Sequence, residues 1–199
     1  MKKIIFATVL PTLLVFSTFV LAQKKDSDNR TPLRTVSTVD VKRFTGKWFE
    51  IARYPNKFQK KCVGNTTATY TTKADGNLTV VNQCVMKDGT TGRAEGEAKI
   101  TDTTSNAKFQ MKFAPKFKSF LSGDWDNYWV VDLDENYQYA AVADPKRNNL
   151  WILSRTPEMK DAIYQNILRR MEKLGFNPGQ LAKTPQNLEV IKGEVIQKQ

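Results

Sequence analysis

Short runs rich in β-branched and aromatic residues recur between residues 48 and 155, and turn-forming residues separate them. Pairs such as Asp75-Gly76 and Asp88-Gly89 are typical of tight hairpin turns. The runs are Trp48–Arg53, Thr66–Thr72, Leu78–Gln83, Arg93–Thr101, Ala107–Phe113, Tyr128–Leu133, Tyr139–Ala143 and Leu150–Arg155. Eight consecutive strands with short connections predict an all-β fold, either an antiparallel up-and-down barrel or a sandwich.

The hydrophobic period changes after the last predicted strand. Apolar residues recur there at helical spacing, at Met159, Ile163, Ile167 (or Leu168), Met171 and Leu174. Thr156 is suited to cap a helix, Pro157 to begin it and Gly175 to end it. The pattern therefore predicts a helix over residues 157–174, packed on the outside of the strands. One further strand-like run, Leu188–Ile191, lies in the tail that follows.

Two predicted strands alternate cleanly between an apolar and a polar face. On the fifth, the apolar face carries Phe109, Met111 and Phe113, and the polar face carries Gln110 and Lys112. On the fourth, the inward face carries Ala94, Gly96, Ala98 and Ile100, and the outward face carries Arg93, Glu95, Glu97 and Lys99. A barrel of eight strands either fills its interior with side chains or encloses one small ligand. Small residues at these positions and at Ala141 favour a retained cavity.

The N-terminal region does not share the strand pattern. Lys2 and Lys3 precede an apolar stretch that ends in Val20-Leu21-Ala22, which is typical of a cleaved signal peptide over residues 1–22. An uncleaved membrane anchor is the alternative. Residues 23–37 are polar and charged, so we expect a flexible linker there, and one domain over residues 38–199.

The 199 residues include 31 Lys and Arg against 20 Asp and Glu, a net charge of +11. Loss of residues 1–22, which contain two lysines and no acidic residue, leaves 29 basic against 20 acidic residues. The lysines are scattered and form no nucleic-acid-binding motif, so we expect no nucleic-acid partner. Weak attraction to an anionic membrane surface is compatible with this charge.

Cysteine and histidine usage narrows the chemistry. Cys62 and Cys84 flank the predicted hairpin of the second and third strands, whose ends come together, so a disulfide between them is geometrically reasonable. A redox or catalytic thiol is the alternative. The chain contains no histidine, which removes Ser-His-Asp and Cys-His nucleophiles, histidine zinc sites and histidine-ligated haem. We expect no metal, no cofactor and no catalytic residues.

Three segments in order resemble the signature segments of lipocalins. They are Gly46-x-Trp48 in the first strand, Trp129–Asp134 followed by Tyr137, and Leu150–Pro157 before the helix. The resemblance covers roughly residues 38–185 and is nearest to the bacterial branch that includes apolipoprotein-D-like proteins. It implies an eight-stranded antiparallel up-and-down β-barrel with a C-terminal α-helix packed outside.

The resemblance also implies roles for particular residues. Gly46, Trp48 and Arg155 would form the structural motif, with Arg155 lying across the Trp48 indole at the narrow end of the barrel. The expected ligand-binding residues are Phe109, Met111, Phe113, Trp125, Tyr128, Val130, Ala141 and Trp151. Lys57, Lys60 and Lys61 would border the mouth and meet a carboxylate or phosphate headgroup, although an ordinary solvated loop is the alternative.

The function implied is export and binding of a fatty acid or lysophospholipid, for lipid transport, storage or envelope maintenance. Many bacterial lipocalins carry a lipidated cysteine after the signal peptide, whereas Gln23 stands there in this chain. We therefore expect a soluble protein, periplasmic or secreted. Two other functions stay open. One is a lipocalin-type isomerase or de-epoxidase that uses Asp132 or a free Cys62 or Cys84, and the other is an interaction protein with an empty cavity.

Overall fold

The computed structural model describes residues 31–113, 125–191 and 193–198. All eight predicted strands are present: β1 (Gly46–Arg53), β2 (Cys62–Thr72), β3 (Leu78–Met86), β4 (Thr91–Ile100), β5 (Lys108–Phe113), β6 (Asp126–Leu133), β7 (Tyr139–Ala143) and β8 (Leu150–Ser154). Each pairs antiparallel with its neighbour in sequence, and β1 pairs with both β2 and β8. The sheet therefore closes into the up-and-down barrel that the family resemblance implied, and the sandwich alternative is excluded. The predicted signal peptide and residues 23–30 lie outside the described residues.

The predicted disulfide joins Cys62 at the start of β2 to Cys84 near the end of β3, with 5.7 Å between their Cα atoms. The β2–β3 hairpin brings them together, although its register shifts twice between Cys62 and Thr67. Because both cysteines of the chain are joined, neither thiol is free. A disulfide also indicates an oxidising compartment, extracellular or periplasmic.

The helix begins later than the sequence indicated. It is α2, Asp161–Lys173, and the residue before it, Lys160, makes no side-chain capping hydrogen bond. Thr156 instead donates its hydroxyl to the carbonyl oxygen of Glu158, so it shapes the connection and does not cap the helix. The buried face also differs, because Tyr164 packs inward with Ile167 and Met171, whereas Ile163 is 37% exposed.

Residues 31–37 do not behave as the predicted linker. Leu33 is buried beneath α2, and the Val36 amide donates to the Val130 carbonyl at 3.0 Å. Leu33 and Val36 are two apolar residues in a segment that is otherwise mostly polar and charged, so the composition of the segment did not indicate that they are buried or hydrogen-bonded. A short helix that the sequence did not reveal, α1 (Val41–Phe44), follows and is capped by the Asp40 carboxylate.

The chain after α2 returns to the barrel. A 3₁₀ turn (Pro178–Gln180) leads to β9 (Ala182–Lys183), which pairs with the end of β1. The predicted tail strand is β10 (Leu188–Ile191), and it forms a hairpin with β11 (Glu194–Gln197) that is separate from the barrel sheet. Within the described residues, none of the helices has the length and apolar character needed to cross a membrane.

Candidate functional site

One end of the barrel is closed by aromatic packing. Trp48 is fully buried, and its indole N–H donates to the Phe44 carbonyl oxygen at 2.9 Å. Phe44, from α1, contacts the rings of Trp48, Tyr70 and Phe109 at centroid distances of 5.2, 5.4 and 5.9 Å. The loops at residues 54–61, 87–90 and 144–149 therefore lie at the opposite end, since the strands alternate in direction.

Arg155 covers this closed end from outside. Its Cζ lies 3.7 Å from the centroid of the Trp48 ring, and its guanidinium donates to the backbone carbonyls of Arg43, Lys47 and Tyr137. Burial lowers its pKa from the ordinary arginine value. Gly46 has a φ of +92°, and a Cβ there would lie 3.3 Å from Arg155 Nη1, so glycine suits both the backbone and the close approach.

Above this floor, the barrel encloses a cavity of about 860 Å³ that opens between the loops of the other end. Its wall is largely apolar and includes Ala68, Tyr70, Ala94, Met111, Phe113, Tyr128, Trp151 and Leu153. Side chains alternate along a strand, so the same strands that bury these residues send their neighbours to the outer surface. Lys112 illustrates this, since it is exposed between Met111 and Phe113. Such a cavity has the size and character of a small-molecule site.

Five of the eight predicted ligand-binding residues line the cavity, namely Met111, Phe113, Trp125, Tyr128 and Trp151. Phe109 and Val130 point into the barrel but lie in the packed cluster of the floor and do not line the cavity.

The assignment of Ala141 to the cavity is wrong. Ala141 packs on the outer side with Ile152 and with Ile167 of α2, whereas its neighbours Ala140 and Val142 face inward. The strand reads Tyr-Ala-Ala-Val-Ala, so it has no polar residue from which its inward phase can be read. Its inward phase is instead evident from its pairing with β8, which sets Ala141 opposite the outward-facing Ile152 and Val142 opposite Trp151.

Asp132, the acidic residue considered for catalysis, also faces outward. Its Oδ2 accepts from Nε of Arg170 on α2 at 2.8 Å, and Nη2 of the same guanidinium also lies 2.8 Å from this oxygen. This ion pair attaches the helix to the barrel. Asp132 is therefore not placed to act on a ligand in the cavity, as the enzymatic alternative with an acidic residue required.

Glu50 is a cavity residue that the sequence analysis missed. It is only 3% exposed and lines the cavity two residues after Trp48 on β1, so strand alternation from Trp48 indicates its inward direction. Its Oε1 accepts from Arg53 at 2.7 Å and Thr184 at 2.6 Å, and its Oε2 accepts from Gln59 at 2.6 Å. Both carboxylate oxygens are thus occupied by the protein itself.

Gln59 connects Glu50 to the cavity mouth. Its side-chain oxygen accepts from the indole N–H of Trp151 at 2.9 Å and from the Asn56 amide at 3.0 Å. Gln59 therefore helps to hold the loop between β1 and β2 against the barrel wall. Within the described residues, no three His, Cys, Asp or Glu side chains gather as a metal site would require.

Two buried polar atoms of the cavity wall have no hydrogen-bond partner among the described residues. They are Thr66 Oγ1 and Asn82 Oδ1, on the adjacent strands β2 and β3. Buried polar groups are normally paired, because an unpaired one loses its hydration without compensation. Both atoms lie in residues that line the cavity, so a bound molecule can supply the missing partner.

A tyrosine pair lies lower in the wall. The Tyr70 hydroxyl donates to the Tyr128 hydroxyl at 3.0 Å, and burial raises the pKa of both side chains above the ordinary tyrosine value. Both phenols are therefore neutral at physiological pH. They add polarity without charge to the apolar wall.

The rim carries exposed cations. Lys57, Lys60 and Lys61 border the cavity in the loop between β1 and β2, as expected. Asp126 and Asp144 also border it, so the rim is not uniformly basic. The arrangement thus joins an apolar interior to a polar wall segment and a charged mouth.

A protein-family model described as a lipocalin-like domain matches residues 39–186. Temperature-induced lipocalin-1 of Arabidopsis thaliana is 38% identical over 157 residues, which are 78% of this chain and 83% of that protein. Outer membrane lipoprotein Blc of Escherichia coli K12 is 38% identical over 151 residues, 74% of this chain and 81% of that protein. Among solved structures, insecticyanin of Manduca sexta superposes with a TM-score of 0.62 at 20% identity, covering 78% of this chain and 85% of that one. The chain therefore belongs to the lipocalin family, as its three sequence segments indicated.

Proposed function

We propose that this protein binds one single-chain lipid, a fatty acid or a lysophospholipid, with the acyl chain inside the barrel. The observation that carries the proposal is the cavity of about 860 Å³ with its largely apolar wall and closed aromatic floor. Sites of ~300–1,000 Å³ are typical for small molecules. Each methylene that leaves water for such a wall contributes ~0.8 kcal/mol.

The polar end of the ligand would lie toward the mouth. Lys57, Lys60 and Lys61 can attract a carboxylate or a phosphate there, and exposed attraction of this kind weakens with salt. Farther inside, Thr66 and Asn82 can pair with a hydroxyl or ester group, which a lysophospholipid carries near its acyl chain and a fatty acid lacks. The same rim lysines favour weak contact with an anionic membrane surface.

The role we assign is lipid transport, storage or envelope maintenance outside the cytoplasm. The disulfide supports an oxidising compartment, and a related protein is named as an outer membrane lipoprotein. Cleavage after Ala22 would give a soluble periplasmic or secreted form, since Gln23 offers no thiol for lipid attachment.

Binding is favoured over catalysis by the state of the reactive groups. The only two cysteines are joined to each other, and Asp132 lies outside the barrel in an ion pair with Arg170. Glu50 is the buried acid at the cavity, but Arg53, Gln59 and Thr184 occupy its oxygens. A general base must instead reach a proton of its substrate.

Tryptophan fluorescence tests the proposal directly. Saturated fatty acids and lysophosphatidylcholines of increasing chain length should quench or shift the fluorescence until the signal saturates. Native mass spectrometry should then show one ligand bound per barrel. Affinity should rise with chain length until the cavity is full and then level off. Trp151→Phe should reduce the response, whereas Trp129→Phe, on the outer surface, should leave it intact. A response without saturation or chain-length limit would favour an empty cavity.

A further inference from the structure

The C-terminal hairpin of β10 and β11 carries an unusual share of the exposed apolar surface. Val190, Ile191 and Ile196 are 42%, 50% and 41% exposed, and they are three of the four large hydrophobic side chains exposed among the described residues. The hairpin lies beyond residues 39–186, which the family model covers. The exposed apolar side chains of this hairpin are therefore not explained by the barrel or by its ligand.

The two outer edges of this hairpin differ. The Lys198 amide donates to the Asn187 carbonyl, and hydrogen-bonded and non-bonded pairs alternate along an antiparallel ladder. In the observed register, the backbone groups of Leu188 and Val190 on β10 and of Val195 and Gln197 on β11 therefore point away from the hairpin. Those of Leu188 are satisfied by the Asn65 side chain, which donates to its carbonyl at 2.8 Å and accepts from its amide at 3.1 Å.

The edge of β11 has no such cover. Among the described residues, the outward backbone groups of Val195 and Gln197 have no hydrogen-bond partner, and Glu194, Ile196 and Gln197 are exposed beside them. An exposed edge with β-branched side chains is a template for pairing with another strand. A β-strand of matching register would supply hydrogen-bond partners for these backbone groups.

A second copy of β11 provides that register. With a two-fold axis through Ile196, the outward groups of Val195 meet those of Gln197 of the second copy, and Ile196 faces its own equivalent. The same register sets Glu194 opposite Lys198 of the second copy, so the charges are complementary in both symmetry-related pairs. Lys198 already lies against Glu189 on this face, where an additional carboxylate can share it.

From this self-complementarity we propose that two copies of the chain associate through β11, edge to edge and antiparallel, forming a four-stranded sheet from two hairpins. The contact is isologous, so it closes after two copies and does not propagate into a fibre. Four residues a side bury less than a standard interface, so the association is weak and depends on concentration. It does not depend on the ligand proposed above.

Cross-linking tests the register. Residues facing each other in a non-bonded antiparallel pair have Cα atoms ~4.5 Å apart, a separation that a disulfide can bridge. Ile196→Cys should therefore give a covalent dimer under mild oxidation. Ile191→Cys, which is more exposed but one strand away from the axis, is the matched control and should stay monomeric. Equal cross-linking of both variants would overturn the proposal.

Charge reversal tests the pairing independently of any new bond. Glu194→Lys and Lys198→Glu each set like charges opposite each other in both pairs of the homodimer, and each should weaken association by about tenfold. An equimolar mixture of the two variants restores both attractive pairs, so it should sediment as a heterodimer. Failure of the mixture to associate better than its components would contradict the register.

The edge itself is tested by Val195→Pro. This change removes an N–H that points away from β10 and should abolish dimers while the monomer keeps its melting temperature and its ligand response. Ile163→Ser on α2 serves as the exposed-isoleucine control and should change nothing. Co-sedimentation with phosphatidylglycerol vesicles tests the alternative that this edge binds a lipid surface and not a second copy. A protein that stays monomeric, and whose vesicle binding is lost in Ile196→Ser, would show that this surface meets lipid and would overturn the proposal.

Discussion

The guanidinium of Arg155 lies 3.7 Å above the ring of Trp48, joining the segment after the last barrel strand to the first. The contact is cation–π in character and is reinforced by three hydrogen bonds from Arg155 to backbone carbonyls. Trp48 itself is fully buried at the floor, below the cavity. The pair therefore closes the barrel and does not contact the space in which we propose the ligand lies.

Loss of this pair should affect stability far more than ligand preference. Trp48→Ala should cost about 3–5 kcal/mol, the usual penalty for emptying a large aromatic site. Arg155→Ala should cost less, because the three carbonyls can bind water. Thermal unfolding followed by circular dichroism measures both, with Arg93→Ala at the exposed pair with Glu95 as a control near zero. Stable variants with altered chain-length preference would contradict a structural role.

Inward and outward positions of β5 should respond oppositely to the same substitution. Met111→Asp places an unpaired carboxylate against the acyl chain and should abolish binding, whereas Lys112→Asp, facing solvent, should leave it nearly intact. If Met111→Asp does not fold, Ala94→Leu fills part of the cavity with an apolar group and should shorten the longest acyl chain bound. Equal losses at positions 111 and 112 would contradict a ligand inside the barrel.

Glu50 should be a stability residue. Its carboxylate is 4% exposed and Arg53 is 15% exposed, so Glu50→Ala leaves a largely buried cation and removes the acceptor for Gln59 and Thr184. We expect a loss of about 3 kcal/mol, measured by urea unfolding. Glu95→Ala, in an ion pair exposed by more than half, should cost less than about 1 kcal/mol.

The unpaired oxygen of Asn82 should distinguish the two proposed ligand classes. Asn82→Leu removes a buried acceptor that lacks a partner, so the unliganded protein should be equally stable or more stable. A lysophospholipid that pairs with this group should bind about three- to tenfold more weakly, the loss of one hydrogen bond. A fatty acid of the same chain length should keep its affinity. Isothermal titration with both lipids measures the difference, and equal changes would indicate that Asn82 does not meet the polar group.

Opening the disulfide should destabilise the barrel without removing the site. Cys62→Ser with Cys84→Ser frees a loop closed over a sequence separation of 22 residues, and the expected loss is about 3 kcal/mol. Dithiothreitol should produce the same loss in the unmodified protein and none in the double variant. Ligand binding measured well below the melting temperature should persist, because the cavity retains its other wall residues.

The sequence by itself determined the number and order of the eight barrel strands, because alternation, hairpin turns and β-branched runs are local properties of the chain. It also indicated the inward faces of β4 and β5, where small or apolar residues alternate with charged ones. The family followed from three short segments around Gly46, Trp129 and Arg155. Pairing of Cys62 with Cys84 could be predicted because a single hairpin joins them.

The tertiary structure decided what depends on distant contacts. Ala141 faces α2 because β7 pairs it with Ile152, on the outer face of β8, and a strand of small apolar residues carries no phase signal of its own. Leu33 and Val36 are ordered by α2 and β6, which lie far along the chain. The neighbours of Glu50 come from the β1–β2 loop and from Thr184, 134 residues away, so its role required the closed barrel. The strand pattern depends on residues that are neighbours in sequence, whereas the shape of the cavity depends on which face of the barrel each distant segment covers.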